Sequence, residues 1–199
     1  MIVKNGTTLF TTSSSEDSRK QVGKLAAQFE NTQNFGHDVR QEDYTINEWS
    51  ALLLRYLTLL PDPIIPDEYY YRLRDTLYDI DINLQDLASL HVYEVAQDNR
   101  KYCSQTLAKI AQPNRDVLYY VLSLLYFVAV KENRKYPTCA AISELFYSSI
   151  LRPPKNAFQM GPDASIQDKA VVACLIANAT LWPQYELQRR SLAATGREA

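Results

Sequence analysis

The chain has 199 residues, 46% hydrophobic and 22% charged, which suits one globular domain with a real core. Lysine and arginine total 21 against 23 acidic residues, so the formal net charge is −2, without the basic excess of a dedicated nucleic-acid binder. Only 5 glycines are present, which disfavours glycine-rich phosphate loops and many-turned β architectures.

The opening, Lys4 to Ser15, reads as a loop, because threonine and serine hydroxyls compete for backbone hydrogen bonds. Helical spacing then begins. Val22, Leu25, Ala26 and Phe29 recur at i, i+3, i+4 and i+7. Ser14 or Ser15 suits the N-cap, and Glu16 and Asp17 suit the positive end of the helix dipole. Asn31 to Tyr44 is polar and loop-like. Thr45 and Glu48 form a capping-box pattern directly before the apolar run Trp49 to Leu60. Pro61-Asp62-Pro63 stops that helix. Pro66-Asp67-Glu68 opens a third, rich in tyrosine from Tyr69 to Tyr78.

Asp79 to Ala88 is ambiguous between helix and loop. Val92 to Ile110 is predicted helical, with Val95, Leu107 and Ile110 inward, and Gln112-Pro113-Asn114 ends it. Asn114 caps the next helix, Arg115 to Lys131, whose core stripe is Leu118, Val121, Leu122, Leu125 and Val128. Glu132 to Tyr136 is a charged turn, and a short helix runs from Thr138 to about Tyr147. Arg152 to Ser165 is a loop, and a final helix spans Gln167 to Trp182. Residues after Gln188 form a frayed tail. No alternating strand pattern of any length is present. The fold class expected is all-α, six to eight helices in a single bundle.

Familiar site chemistry is missing. Cys103, Cys139 and Cys174 are odd in number and far apart, which fits reduced thiols in the cytoplasm better than disulfides or zinc. His37 and His91 lack metal-ligand spacing. Ser13-Ser14-Ser15 has no nucleophile-elbow context and reads as helix-capping sequence. Asp79/Asp81 and Glu42/Asp43 lie in polar segments and read as solvated surface. Tyr69-Tyr70-Tyr71 reads as core and rim rather than a stacking platform. No feature supports a metal, nucleotide or organic cofactor. Met1 to Gly6 lacks a signal-peptide pattern, and Val117 to Val130 is shorter than a bilayer span. No nucleic-acid binding and no direct membrane insertion is expected.

Leu52 to Pro66, LLLRYLTLLPDPIIP, resembles the signature helix of Rho-family GTPase-activating (RhoGAP) domains, which ends in Leu-Pro-Glu-Pro-Leu-hydrophobic-Pro. Gln112-Pro113-Asn114-Arg115, Leu151-Arg152-Pro153-Pro154 and Val171 to Asn178 resemble further family segments in the right order. The resemblance covers Gly6 to about Trp182. It implies a helical domain that meets a small GTPase and inserts an arginine finger beside the transferring phosphoryl group.

Measured against that pattern, charges are missing. The finger slot falls on Thr11. The family's Lys-x-x-x-Arg slots fall on Leu54 and Thr58, with Arg55 adjacent but rotated by about 100° along the helix. The asparagine slot near the catalytic water falls on Ala141. The family's Asn-Lys-Met turn aligns with Lys135-Tyr136-Pro137, or with Asn133 if two residues are inserted. The resemblance therefore implies a finger loop over 1–15, a RhoGAP-like domain over 16–185 and a disordered tail over 186–199. The leading expectation is a non-catalytic domain that still binds a Rho-family GTPase or another signalling protein through Thr11, Leu54, Arg55, Thr58, Lys135 and Ala141. Exposed tyrosine and leucine on that face would mark a protein-binding site. The alternatives are an active but divergent activator, drawing a cation from Lys4, Lys20, Arg55 or the GTPase itself, and a structural helical scaffold with no GTPase contact.

Overall fold

The computed structural model describes residues 2–4, 7–9, 16–78, 97–131, 135–154 and 163–182. Seven α-helices dominate them, in the all-α class the periodicity predicts: α1 Glu16–Glu30, α2 Ile46–Leu59, α3 Asp67–Tyr78, α4 Gln97–Leu107, α5 Gln112–Lys131, α6 Lys135–Ile150 and α7 Asp163–Ala177. They divide into two compact units, Met1–Leu60 and Pro61–Ala199.

The first unit departs from expectation at its start. Part of the predicted loop is a small antiparallel hairpin, β1 Ile2–Lys4 and β2 Thr7–Leu9, with Ile2 opposite Leu9 and Lys4 opposite Thr7. The signal was short but present. Asn5-Gly6 between two runs containing β-branched residues is a hairpin pattern. The candidate caps Ser14 and Ser15 lie outside the described residues.

Leu25 and Ala26 of α1 are buried as the spacing predicts, and α1 packs on α2. Phe29 is partly exposed, and its ring stands edge-on to Trp49 with centroids 6.0 Å apart. Tyr44 meets Trp49 from another side at 6.0 Å, and the Trp49 indole donates to the Gln41 carbonyl at 3.3 Å. The turn after α1 places Phe35 and Gly36 at positive φ, 47° and 78°. Gly36 is required there, since a Cβ would stand 2.8 Å from the Phe29 ring.

Helix α2 starts and stops as its sequence dictates. The Thr45 hydroxyl accepts from the Glu48 amide at 3.3 Å, and the Glu48 carboxylate accepts from the Thr45 amide at 2.7 Å. These two bonds satisfy end groups that the helix leaves unpaired. Leu60 is extended before Pro61, so the helix cannot continue.

The second unit is organised around α7. Every residue from Ala170 to Ala177 is buried, with α3, α5 and α6 packed against the helix. Ile142, Phe146 and Ile150 of α6 and Leu118, Val121, Leu122 and Leu125 of α5 are buried as well. Val128 is half-buried instead, and Ala129 takes the inward position. Leu107 and Ile110 are buried as expected, while Val95 and the ambiguous stretch 79–88 lie outside the described residues. One polar knot ties α3 to α7. The Tyr70 hydroxyl lies 2.8 and 2.9 Å from the two Asp168 carboxylate oxygens, and Arg74 stands 3.9 Å from the same carboxylate. Arg74 also donates to Gln167.

Several boundaries differ from those the pattern predicts. Helix α5 begins at Gln112, because Pro113 is tolerated within a first helical turn. The Arg115 guanidinium donates to the Ala108 carbonyl at 2.8 Å, closing the turn after α4. Helix α6 runs from Lys135 to Ile150, longer at both ends than predicted. Helix α7 begins at Asp163 and ends at Ala177, after which Trp182 folds back and its indole donates to the Leu175 carbonyl at 3.0 Å. All three cysteines are free and buried, and burial pushes the Cys103 and Cys174 thiols up to about 12. Thiolates do not form there near neutral pH, so these two side chains are core rather than nucleophiles.

Thr45→Ala removes the hydroxyl's half of the capping box and is expected to cost about 1 kcal/mol. The check is a urea midpoint that falls with the slope unchanged; an unmoved midpoint would show the cap to be idle. The Asp168 carboxyl gives a pH signature. Burial pushes it up, against smaller opposing effects of the Tyr70 hydrogen bond and Arg74. Above the folded value the native state carries the full cost of the buried charge. As pH falls through it towards the ordinary aspartate range of about 4, the folded chain takes up a proton that the unfolded chain does not. Wild type should therefore gain stability relative to Asp168→Asn as pH is lowered from neutral. Parallel denaturation series settle the matter, and a flat or shrinking difference counts against it.

Candidate functional site

The fold places the candidate residues in three groups. Leu54, Arg55 and Thr58 share the C-terminal half of α2, in the first unit. Ala141 lies half-buried on α6, and Lys135 begins the same helix, both in the second unit. Thr11 lies outside the described residues, as does the Lys135 side chain.

Within α2 the orientation follows from spacing. Leu57 points inward and is fully buried, which turns Arg55, Tyr56, Thr58 and Leu59 to solvent. Leu54 is half-buried. The Thr58 hydroxyl donates to the Leu54 carbonyl at 2.8 Å, one turn back. The hydroxyl is therefore engaged with the backbone, a common habit of threonine inside helices. Arg55 is one residue from Leu54, but it is also three residues before Thr58. Residues at that spacing are neighbours on a helix surface. Arg55 is the one lysine or arginine within α2, and its side chain is exposed.

Two neighbours complete the patch. Tyr56 is 61% exposed and Leu59 is 62% exposed. Neither was among the candidate residues, although exposed tyrosine and leucine were the features expected of a protein-binding face. The periodicity of Trp49 to Leu60 is so densely apolar that spacing alone does not say which residues stay outside.

The other candidate cations are placed differently. Lys4 lies in β1, and Lys20 pairs with Glu16 at 2.9 Å one turn away on α1. His37 is exposed, and His91 lies outside the described residues. Among the described residues no group of three or more histidine, cysteine or acidic side chains is arranged to hold a metal ion. No described helix is long and apolar enough to cross a membrane.

Comparison with known proteins places the fold and the family. The RhoGAP domain model matches residues 8–155. Rho-GTPase-activating protein 5 of Schizosaccharomyces pombe is 26% identical over 139 residues, covering 70% of this chain and 35% of that protein. Rho-GTPase-activating protein BAG7 of Saccharomyces cerevisiae is 24% identical over 164 residues, covering 82% of this chain and 37% of that protein. The chain therefore spans little more than a third of either relative. Among solved structures, the BH domain from GRAF, the GTPase regulator associated with focal adhesion kinase, superposes with a TM-score of 0.63 at 18% identity. That match covers 88% of this chain and 83% of the other, and it shows the shared fold.

These relatives correct one expectation. Both are named as GTPase activators, which overturns the reading of this chain as a non-enzyme. The physical reason is that a threonine counted into the finger slot removes one electrostatic contribution only. Activation also rests on positioning the attacking water, and that group belongs to the GTPase. With the family model matched across residues 8–155 and the helical fold shared, the chain belongs to the RhoGAP domain family.

Proposed function

We propose that the chain is a GTPase-activating domain for a Rho-family GTPase, which it meets through the exposed end of α2. The RhoGAP match over residues 8–155 carries this reading and supports a role in small-GTPase signalling. The α2 geometry adds detail. Arg55 supplies a cation beside Thr58, and Tyr56 and Leu59 supply apolar area that a partner would cover. Aromatic and arginine side chains are the groups that most often anchor protein interfaces.

The activating role is mainly electrostatic. The GTPase brings nucleotide, magnesium and water, and the activator adds positive charge and order around the transferring phosphoryl group. Thr11 brings no charge to the finger slot that the resemblance assigns to it. Stimulation should therefore fall well below the roughly 10³- to 10⁵-fold that a finger arginine supplies.

Single-turnover GTP hydrolysis by a panel of Rho-family GTPases tests this. Wild type is expected to accelerate at least one member. Thr11→Arg should raise that acceleration by about tenfold or more, since one well-placed cation is worth several kcal/mol in the transition state. Arg55→Ala should lower it. Failure to accelerate any member of the panel would overturn the reading.

A further inference from the structure

Phe35 is unfavourably placed in the isolated chain. Its φ is 47°, in the left-handed region that glycine and asparagine tolerate and a bulky side chain does not favour. Its ring is 64% exposed to water. The aromatic packing of this unit runs through Phe29, Trp49 and Tyr44 instead. Yet dense local bonding fixes the turn that carries Phe35. The Phe35 amide donates to the Asn31 carbonyl at 2.8 Å, and the Gly36 amide donates to the Asn34 side-chain oxygen at 3.3 Å. The His37 amide donates to the Asn34 carbonyl at 2.9 Å, and the Asn34 side-chain amide donates to Asp38 at 2.7 Å. A lone exposed apolar side chain is ordinary. One held on an unfavourable backbone, in a turn that specifies it, points to a contact outside the chain that offsets the strain.

We propose that Phe35 anchors a protein-docking site separate from the exposed end of α2, taking a partner that offers an apolar socket rimmed by lysine or arginine. The Phe29 ring lies against Gly36 and is itself 41% exposed, so an aromatic residue stands on either side of that glycine. The charges select the occupant. Glu30, Asp38, Glu42 and Asp43 are exposed, and Arg40 is the one lysine or arginine between residues 30 and 43. Among the described residues no lysine or arginine pairs with these carboxylates. A basic rim on the partner steers encounter with them, and the socket then holds the ring. The same carboxylates repel the phosphates of nucleic acid and of anionic lipid, which disfavours both as occupants.

The area sets the strength. A phenylalanine buries about 150–250 Å² when fully covered, against about 800 Å² per partner in a standard stable interface. The contact is therefore transient, with a dissociation constant of roughly 10 μM to 1 mM. Because its rim is ionic and exposed, binding should weaken severalfold between about 0.05 and 0.5 M salt.

Heteronuclear NMR titration of the full chain tests the proposal, with a synthetic amphipathic peptide of leucine and lysine as the probe. Saturable shifts should cluster on the amides from Asn31 to Asp43, and the matching leucine–glutamate peptide should produce none. Phe35→Gly and Phe35→Asn, both compatible with positive φ, should each weaken binding by about tenfold or more, since a central aromatic anchor dominates a small interface. Both variants should keep or raise the thermal midpoint, which separates an outward role from a structural one. Vesicles containing phosphatidylserine should not bind. Shifts that are absent at about 1 mM peptide, or that centre elsewhere on the chain, would overturn the proposal. So would unchanged binding in both variants, a lowered midpoint in both, or vesicle binding that they abolish.

Discussion

Helix α7 can exist in water only when it is surrounded. Eight consecutive residues, Ala170 to Ala177, have no exposed face, so no arrangement of α7 on a surface would satisfy them. Helices α3, α5 and α6 supply the cover. Burying a stretch of this kind brings polar groups inside with it, and Asp168 is the clearest example. Its charge is tolerated because Tyr70 and Arg74 both meet it. The knot also sets how α3 lies on α7, because a hydroxyl and a guanidinium on successive turns of one helix must reach a single carboxylate on the other. An isolated buried carboxylate would be far more costly than this shared one.

Helix α2 obeys a different constraint. Its ends are written in the chain by the Thr45–Glu48 box and by Pro61, and its inner side is set by Leu57. What remains outside is a short surface of mixed character: one guanidinium, one phenol, one leucine and a threonine whose hydroxyl bonds to its own backbone. Such a surface relies on apolar contact more than on charge. Apolar contact slows dissociation, whereas charge mainly hastens encounter. A surface of that character associates with shallow salt dependence.

Hydrophobic pattern and proline placement carry the family likeness of this chain. Leu-Pro-Asp-Pro and the apolar runs carry the fold, and the RhoGAP match covers them. The charge at one slot is a single contribution to activation and not the whole of it. Activation is distributed between two proteins, so an altered slot in one of them leaves the other's water, magnesium and nucleotide in place.

The helical class, the limits of α2 and the inward positions of Leu25, Leu107, Leu118 and Leu122 can be read from the residues alone, because local hydrogen bonding and a period of 3.6 residues need no distant partner. The residues also hold the Asn-Gly hairpin signal, too short to stand out among hydroxyl residues. Which apolar residues remain outside depends on how the helices pack. Helix α5 is apolar on opposing sides, and the pattern cannot say which side meets α6 and α7. The same holds for Tyr56 and Leu59, which differ from buried leucines only in what the rest of the chain leaves uncovered. The Tyr70–Asp168 bond, joining residues 98 positions apart, was equally out of reach, since no local rule links groups that meet only after the chain has folded.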